Sequence, residues 1–432
     1  MRYWAEAAWL DQGPEEAVAI DVEAGRISRV ETGAPRGDAE ILRGLVLPGL
    51  ADVHSHAFHR ALRGRTHRER GGTFWTWREG MYALADRLDP DSYHRLARAV
   101  FAEMALAGIT GVGEFHYLHH GPGGRPYDDP NAMGLALIEA AAEAGVRITL
   151  LDTLYLAGGF DRPLTGPQRR FADDSLEAWR GRVEELRGTG HALIGSAVHS
   201  VRAVPAPAIA ALADSSEGRP VHIHLSEQRA ENEECRAVHG CSPAELLDRC
   251  GLLGPDLTAV HATHLSGEDA SLLARSGARV CLCPTTERDL ADGIGPAHAL
   301  AALGVPLSLG TDAHAQIDMF EEARAVEMHE RLVSGRRGRF TAAQLLKAAT
   351  DHAALGRPDA GRIAAGGRAD LVAVALDTPR TAGAEPRGVL FAAGAADVTD
   401  VIADGRRIVE AGRHTAVDAA AELDAAIAEV WT

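Results

Sequence analysis

The sequence predicts an α/β chain, a (β/α)8 (TIM) barrel carrying a small β-sandwich made from its two ends. Three observations predict it. Strand-like and helix-like stretches alternate through eight cycles between residues 48 and 357, the order that builds a closed parallel sheet. The strand signals before and after that region are too few on either side for a sheet of their own, so the two ends should pair. The most polar clusters stand at the ends of apolar runs, where such a barrel gathers its reactive groups. A length of 432 residues suits this plan, one barrel of about 250 residues plus a smaller domain.

Residues 1–47 form the first part of the sandwich, with strand signals at 18–22 and 26–30 and turns at Gly25 and Gly33. The barrel follows over 48–357. Its strands are expected at 49–54, 110–115, 147–152, 192–198, 220–225, 258–261, 278–283 and 306–310. Helices are expected between them at 91–107, 132–144, 175–186, 206–213, 243–250 and 267–275. Residues 358–432 return to strand texture at 369–374 and 401–409 and close with an alanine-rich helix over 419–430.

Composition excludes several classes. With 61 acidic against 44 basic residues the net charge is −17, which opposes a nucleic-acid or anionic membrane surface. It does not oppose an anionic small molecule met by a local pair of arginines. Residues 1–6 lack the apolar core of a signal peptide, and no run of about 18 apolar residues occurs. The five cysteines form no CxxC pair, so neither a disulfide framework nor a thiolate zinc site is indicated, and a reducing cytoplasm is expected. Lys347 is the only lysine. It lies in a helix-like stretch beyond the last strand, which excludes a Schiff base or a carbamylated lysine bridge inside the barrel.

The first barrel strand ends in His54-Ser55-His56. Residues i and i+2 of a strand face the same way, so the two imidazoles can grip one divalent cation. His224, in the run His222-Ile223-His224-Leu225-Ser226-Glu227, and Asp312, in Thr311-Asp312-Ala313, end later strands and complete a ligand set. A cation on these four leaves room for a water whose pKa falls toward neutrality. Asp312 would orient or deprotonate it, Glu227 would carry the proton to a departing nitrogen, and His261 would stabilise developing charge. His222 reads as an inward supporting residue, and His264 as a loop or capping residue.

On these motifs, together with Phe74-Trp75-Thr76-Trp77-Arg78-Glu79, Glu114-Phe115-His116-Tyr117-Leu118-His119-His120 and Val198-His199-Ser200-Val201-Arg202, the chain resembles the metal-dependent amidohydrolase superfamily in its mononuclear deaminase branch. Within that branch it is similar to the formimidoylglutamate deiminases (N-formimino-L-glutamate iminohydrolases) of histidine degradation. The resemblance implies one divalent ion per chain, zinc or another, on His54, His56, His224 and Asp312. It also implies Glu227 as proton shuttle, His261 as second catalytic group, and substrate contacts from Arg78, Tyr117, His199 and Arg202. A dicarboxylate substrate makes physical sense of two arginines, since a guanidinium fork binds a carboxylate bidentately. One position departs from the family, where glutamine usually stands five residues after the first metal histidine. Here it is His59, which adds a titrating group beside the substrate.

The leading expectation is hydrolysis of N-formimino-L-glutamate to N-formyl-L-glutamate and ammonia by a cytoplasmic homodimer, with no nucleic-acid or membrane partner. The runner-up is a related deaminase acting on formimino-aspartate or on a purine, pyrimidine or pterin ring. The arginine-bearing loop at 60–79 weighs against a flat neutral ring. A barrel serving as a structural subunit without metal should lack ligands, and this chain keeps four and the acid.

Overall fold

The computed structural model describes residues 1–66, 72–215 and 218–432. Eight parallel strands form one sheet in chain order: Leu50–Ser55, Ile109–His116, Arg147–Leu154, Ala192–Val198, Val221–Leu225, Leu257–His261, Arg279–Leu282 and Leu307–Leu309. Seven are almost wholly buried along their length, as strands covered on both faces must be. Helices cover the outside, among them Pro90–Leu106, Ala132–Ala144, Gly267–Ser276 and Met319–Ser334. Their starts carry local stop-and-go chemistry. Pro90 follows an Asp89 cap that accepts from Ser92 N–H, and Gly145 ends the second of them in a left-handed turn.

The eighth strand is only three residues long, so the barrel closes just beyond it. Asp312 N–H donates to the His54 carbonyl at 2.9 Å, and His56 N–H donates to the Asp312 carbonyl at 3.2 Å. Glycine at 310 permits this seam, because a Cβ there would lie 2.7 Å from the His54 carbonyl oxygen. Closure therefore sets Asp312 against the His54-Ser55-His56 segment by backbone pairing, reinforced by Asp52, whose carboxylate accepts from the N–H and the hydroxyl of Thr311.

The two ends of the chain do join. Strands Arg2–Leu10, Gly13–Glu23, Arg26–Glu31 and Glu40–Pro48 share one eight-stranded sheet with Leu371–Val374, Val398–Ala403, Arg406–Glu410 and Arg413–His414. The halves meet where Leu371–Val374 runs antiparallel to Glu40–Pro48. The sheet encloses its own apolar core, in which Ile20 and Ile27 pack in one cluster with Leu371 and Ile402. Arg147, at the N-terminal end of the third barrel strand, pairs with Asp370 and Asp404 of this sheet. Among the described residues no helix is long and apolar enough to cross a membrane.

Among the described residues, the elements beyond the sequence expectations include the strands Arg2–Leu10, Glu40–Pro48 and Arg413–His414 and the helices Phe74–Ala85, Arg229–His239, Pro284–Asp289, Ala297–Ala302 and Met319–Ser334. The strands Arg2–Leu10 and Glu40–Pro48 mix alanine, glutamate and arginine with their apolar residues, which blurs the period-2 signal. Residues 60–79, expected as a loop, contain the end of a 3-10 turn, Ala57–Leu62, and the start of a helix, Phe74–Ala85. Positions 67–71 of that stretch lie outside the described residues. The long helix Met319–Ser334 after the eighth strand had also gone unassigned.

Candidate active site

The C-terminal ends of the barrel strands converge on five histidine and acid side chains. His54 Nε2 lies 3.2 Å from His224 Nε2, and His54 Nε2 and His56 Nε2 each lie 3.4 Å from Asp312 Oδ1. The nitrogen pointing away is engaged in two of these rings: His56 Nδ1 bonds the Phe115 carbonyl and His224 Nδ1 the His199 carbonyl, both at 2.9 Å. Bonds to carbonyls put the proton on Nδ1 and leave the Nε2 lone pairs facing inward. Burial also keeps all three imidazoles neutral, pulling His56 down to about 4 and His54 and His224 well below the usual histidine range. Neutral imidazoles and a carboxylate meeting at one point suit a divalent cation. The donor atoms of His54, His56 and Asp312 fall within 4.8 Å of one another, as do those of His54, His224 and His261.

His261 differs from the other rings. Burial lowers its pKa, but the carboxylates of Glu227, of Glu287 (3.5 Å from Nδ1) and of Asp312 outweigh that and raise it to about 10. The acids around His261 favour its charged form, which distinguishes it from the neutral rings of the donor set. Glu227 is pushed up to about 7, chiefly by burial, with His261 and Arg202 opposing the shift and Asp312 adding to it. A carboxyl poised there can both take and give a proton. Ser226, His261, Ala262, Asp312 and His314 all have left-handed backbone, with φ between 47° and 68°. Such strain in residues other than glycine gathers where the surroundings fix a site.

Above these groups lies a small cavity of about 60 Å³. It is lined by ten of the eleven residues singled out from sequence: His56, His59, Arg78, Tyr117, His199, Arg202, His224, Glu227, His261 and Asp312. The eleventh, His54, is wholly buried behind them. Arg78 lies over the Trp75 ring at 4.5 Å, and Arg202 Nε donates to Glu231 at 2.6 Å. His59 Nε2 and the Tyr117 hydroxyl are 2.8 Å apart. Burial holds His59 well below the usual histidine range, so the expected extra titration beside the substrate is suppressed and His59 serves as a neutral hydrogen-bonding group. Arg60 is buried and pairs with Glu103, away from the mouth.

Sequence reasoning missed the aromatic wall of the cavity, which adds Trp77, Tyr82, Tyr155 and Phe171. Spacing could have revealed part of it, since Phe74, Trp77, Arg78, Met81 and Tyr82 recur at helical intervals. It also missed the supporting acids Glu114, Glu231 and Glu287. Ser55 Oγ donates to Glu114 Oε2 at 2.5 Å, and Ala57 N–H donates to Glu114 Oε1 at 2.7 Å. His222 bonds the Ala354 carbonyl at 3.0 Å.

A second histidine group, His116, His119 and Asp152, also brings its donor atoms within 4.8 Å. It does not suit a cation. Arg182 forks onto both oxygens of Asp152 at 2.8 and 2.9 Å and reaches Asp173 at 2.8 Å, while Trp179 donates to Asp152 at 2.9 Å. A guanidinium already fills the charge a metal would supply. Lys347 is exposed on the helix Ala342–Ala349, outside the barrel.

Comparison with known proteins gives the family. The amidohydrolase family model matches residues 45–408. The formimidoylglutamate deiminase of Pseudomonas aeruginosa is 39% identical over 95% of either chain. An amidohydrolase from Brucella melitensis superposes with a TM-score of 0.91 over the whole of both chains at 33% identity. A zinc-bound adenosine deaminase from Xanthomonas campestris superposes with a TM-score of 0.85 at 26% identity, covering 99% of this chain and 97% of that one. The chain belongs to the amidohydrolase family.

Proposed function

We propose that the protein is an iminohydrolase that converts N-formimino-L-glutamate and water to N-formyl-L-glutamate and ammonia. The observation that carries this reading is one cavity with an acid pair and neutral histidines at its floor and two guanidinium groups, Arg78 and Arg202, in its wall. That is the layout a dicarboxylate with a hydrolysable C–N bond requires. The full-length likeness to a formimidoylglutamate deiminase supports it.

His54, His56, His224 and Asp312 would hold one divalent ion, zinc being expected, which supplies Lewis acidity and a water of lowered pKa. Asp312 would orient the attacking water toward the formimino carbon. Water adds its oxygen to this carbon, and its proton passes to Glu227. The protonated Glu227 then delivers this proton to the terminal NH2 of the initially protonated formimino group. As the C–N bond breaks, the new hydroxyl gives its proton to Asp312 and becomes the formyl C=O, and the nitrogen leaves as ammonia. His261, held cationic by its acidic neighbours, offsets the negative charge that gathers on the reacting centre. Arg202 and Arg78 bind the carboxylates, and His59, Tyr117 and His199 orient the chain between them. Residues 48–357 form the catalytic barrel in this reading, with 1–47 and 358–432 as its supporting domain, and the working form is a cytoplasmic homodimer.

The aromatic wall favours one second reading, a deaminase of a heterocyclic ring that would stack there. Ammonia release measured for formiminoglutamate, formimino-aspartate, guanine, adenosine and cytosine separates the two. Turnover of a ring with none of formiminoglutamate would overturn the proposal. Elemental analysis is expected to give one tightly held divalent ion per chain, and two would overturn the mononuclear site.

A further inference from the structure

Helix Arg229–His239 begins two residues beyond Glu227, and its first turn sends a carboxylate back beneath the cavity. Glu231 is 1% exposed. Its Oε1 accepts Ser226 N–H at 2.9 Å, and its Oε2 accepts Arg202 Nε at 2.6 Å. These partners come from different segments. Ser226 directly precedes Glu227 and holds φ at +51°, a conformation that a residue other than glycine keeps only when its surroundings fix it. Arg202 comes from the turn after the fourth barrel strand and lines the cavity. With Nε engaged from one side, no acceptor among the described residues takes the two terminal nitrogens of Arg202, which remain available as a fork.

We propose that Glu231 is a positioning residue that sets the span between the carboxylate-binding fork and the proton-carrying carboxyl, and thereby selects the length of the dicarboxylate substrate. The inference rests on reading Arg202 as a carboxylate fork. A rigid span should distinguish formiminoglutamate from formimino-aspartate, which differ by one methylene, by about 10-fold or more in kcat/KM. Loosening the tie should erase that preference rather than merely slow the enzyme.

The test compares kcat/KM for the two compounds in the wild type, Glu231→Gln and Glu231→Asp. Glu231→Asp keeps the buried charge pair, so it serves if the glutamine variant fails to fold. The expected result is a ratio that collapses toward unity in Glu231→Gln and falls at least several-fold in Glu231→Asp, the loss appearing mainly in KM for the longer substrate. A ratio unchanged while both rates fall together would overturn the inference and leave Glu231 a structural residue. If neither compound is turned over by the wild type, the functional reading is what fails. The tie is then judged by a crystal structure of Glu231→Gln, in which Arg202 and Ser226 are expected to be displaced, and their unmoved positions would overturn it.

Discussion

Glu227 has no fixed protonation state imposed by one dominant neighbour. Burial raises it, Asp312 raises it further, and His261 and Arg202 pull it back, so it settles at about 7. Glu227→Gln keeps the shape and removes the proton transfer. It is expected to lower kcat by roughly 10²–10⁴-fold while metal content and KM stay near wild type. Near-normal turnover would reassign the shuttle, with His261 the next candidate. Glu114, under the first strand, is a cleaner pH probe. Burial raises it to about 8, against about 4.3 in an unfolded chain. The folded state therefore keeps a proton that the unfolded state has released, so this contribution is whole below about pH 4.3 and is lost as pH rises through 8. Melts of wild type and Glu114→Gln between pH 5 and 8.5 should differ in slope, the wild type losing up to about 1.4 kcal/mol more per pH unit. Parallel slopes would mean that Glu114 titrates as an ordinary carboxylate.

The helix Phe74–Ala85 brings Arg78, Trp77 and Tyr82 to the cavity on one face, so its stability sets how well that wall is formed. Its start is a capping box in which Thr73 accepts from Thr76 N–H and Thr73 N–H donates to the Thr76 hydroxyl at 2.8 Å. Losing such a cap costs about 1 kcal/mol of helix stability. Thr73→Ala is therefore expected to raise KM several-fold with kcat and melting temperature nearly unchanged, measured by steady-state kinetics and a thermal melt. A fall in kcat at constant KM would tie this helix to the chemical step. The barrel strands were legible because each is a short apolar run ending in a polar group. This helix was not, because its cavity face mixes aromatic and charged residues that read as a loop when no binding partner is in view.

Across the whole molecule, the terminal sheet and the barrel are joined at the end opposite the active site by the buried Arg147, Asp370 and Asp404 group. Arg147 NH1 donates to Asp370 at 2.9 Å and also meets Asp404 at 3.0 Å. Both Arg147 and Asp370 are almost fully buried. Asp370→Asn leaves a guanidinium short of charge in a dry place, which costs about 3–5 kcal/mol. The expected outcome is a large drop in melting temperature with kcat per folded, metal-loaded molecule unchanged. A lowered kcat at full metal content would show that the terminal sheet reaches the site and does more than support the barrel.

The sequence by itself determined the eight-cycle barrel and the pairing of the chain ends. It also determined that His54, His56, His224, His261 and Asp312 stand at strand ends. These properties follow from local parity and period: neighbours two apart on a strand share a face wherever the strand sits. Tertiary structure decided what parity cannot reach. Arg60 and Arg78 look alike in the chain, yet burial against Glu103 removes the first from the mouth while the helix face delivers the second. His116 and His119 carry the same letters as the donor set, but the guanidinium of Arg182 fills their surroundings. His59 loses its titration to burial, and Glu231 gains its place only because a helix start, a strand end and a neighbouring turn meet there. Each outcome depends on which charges share a dry volume, and that is set by how the sheet closes through the Gly310 seam and by which helices pack against it.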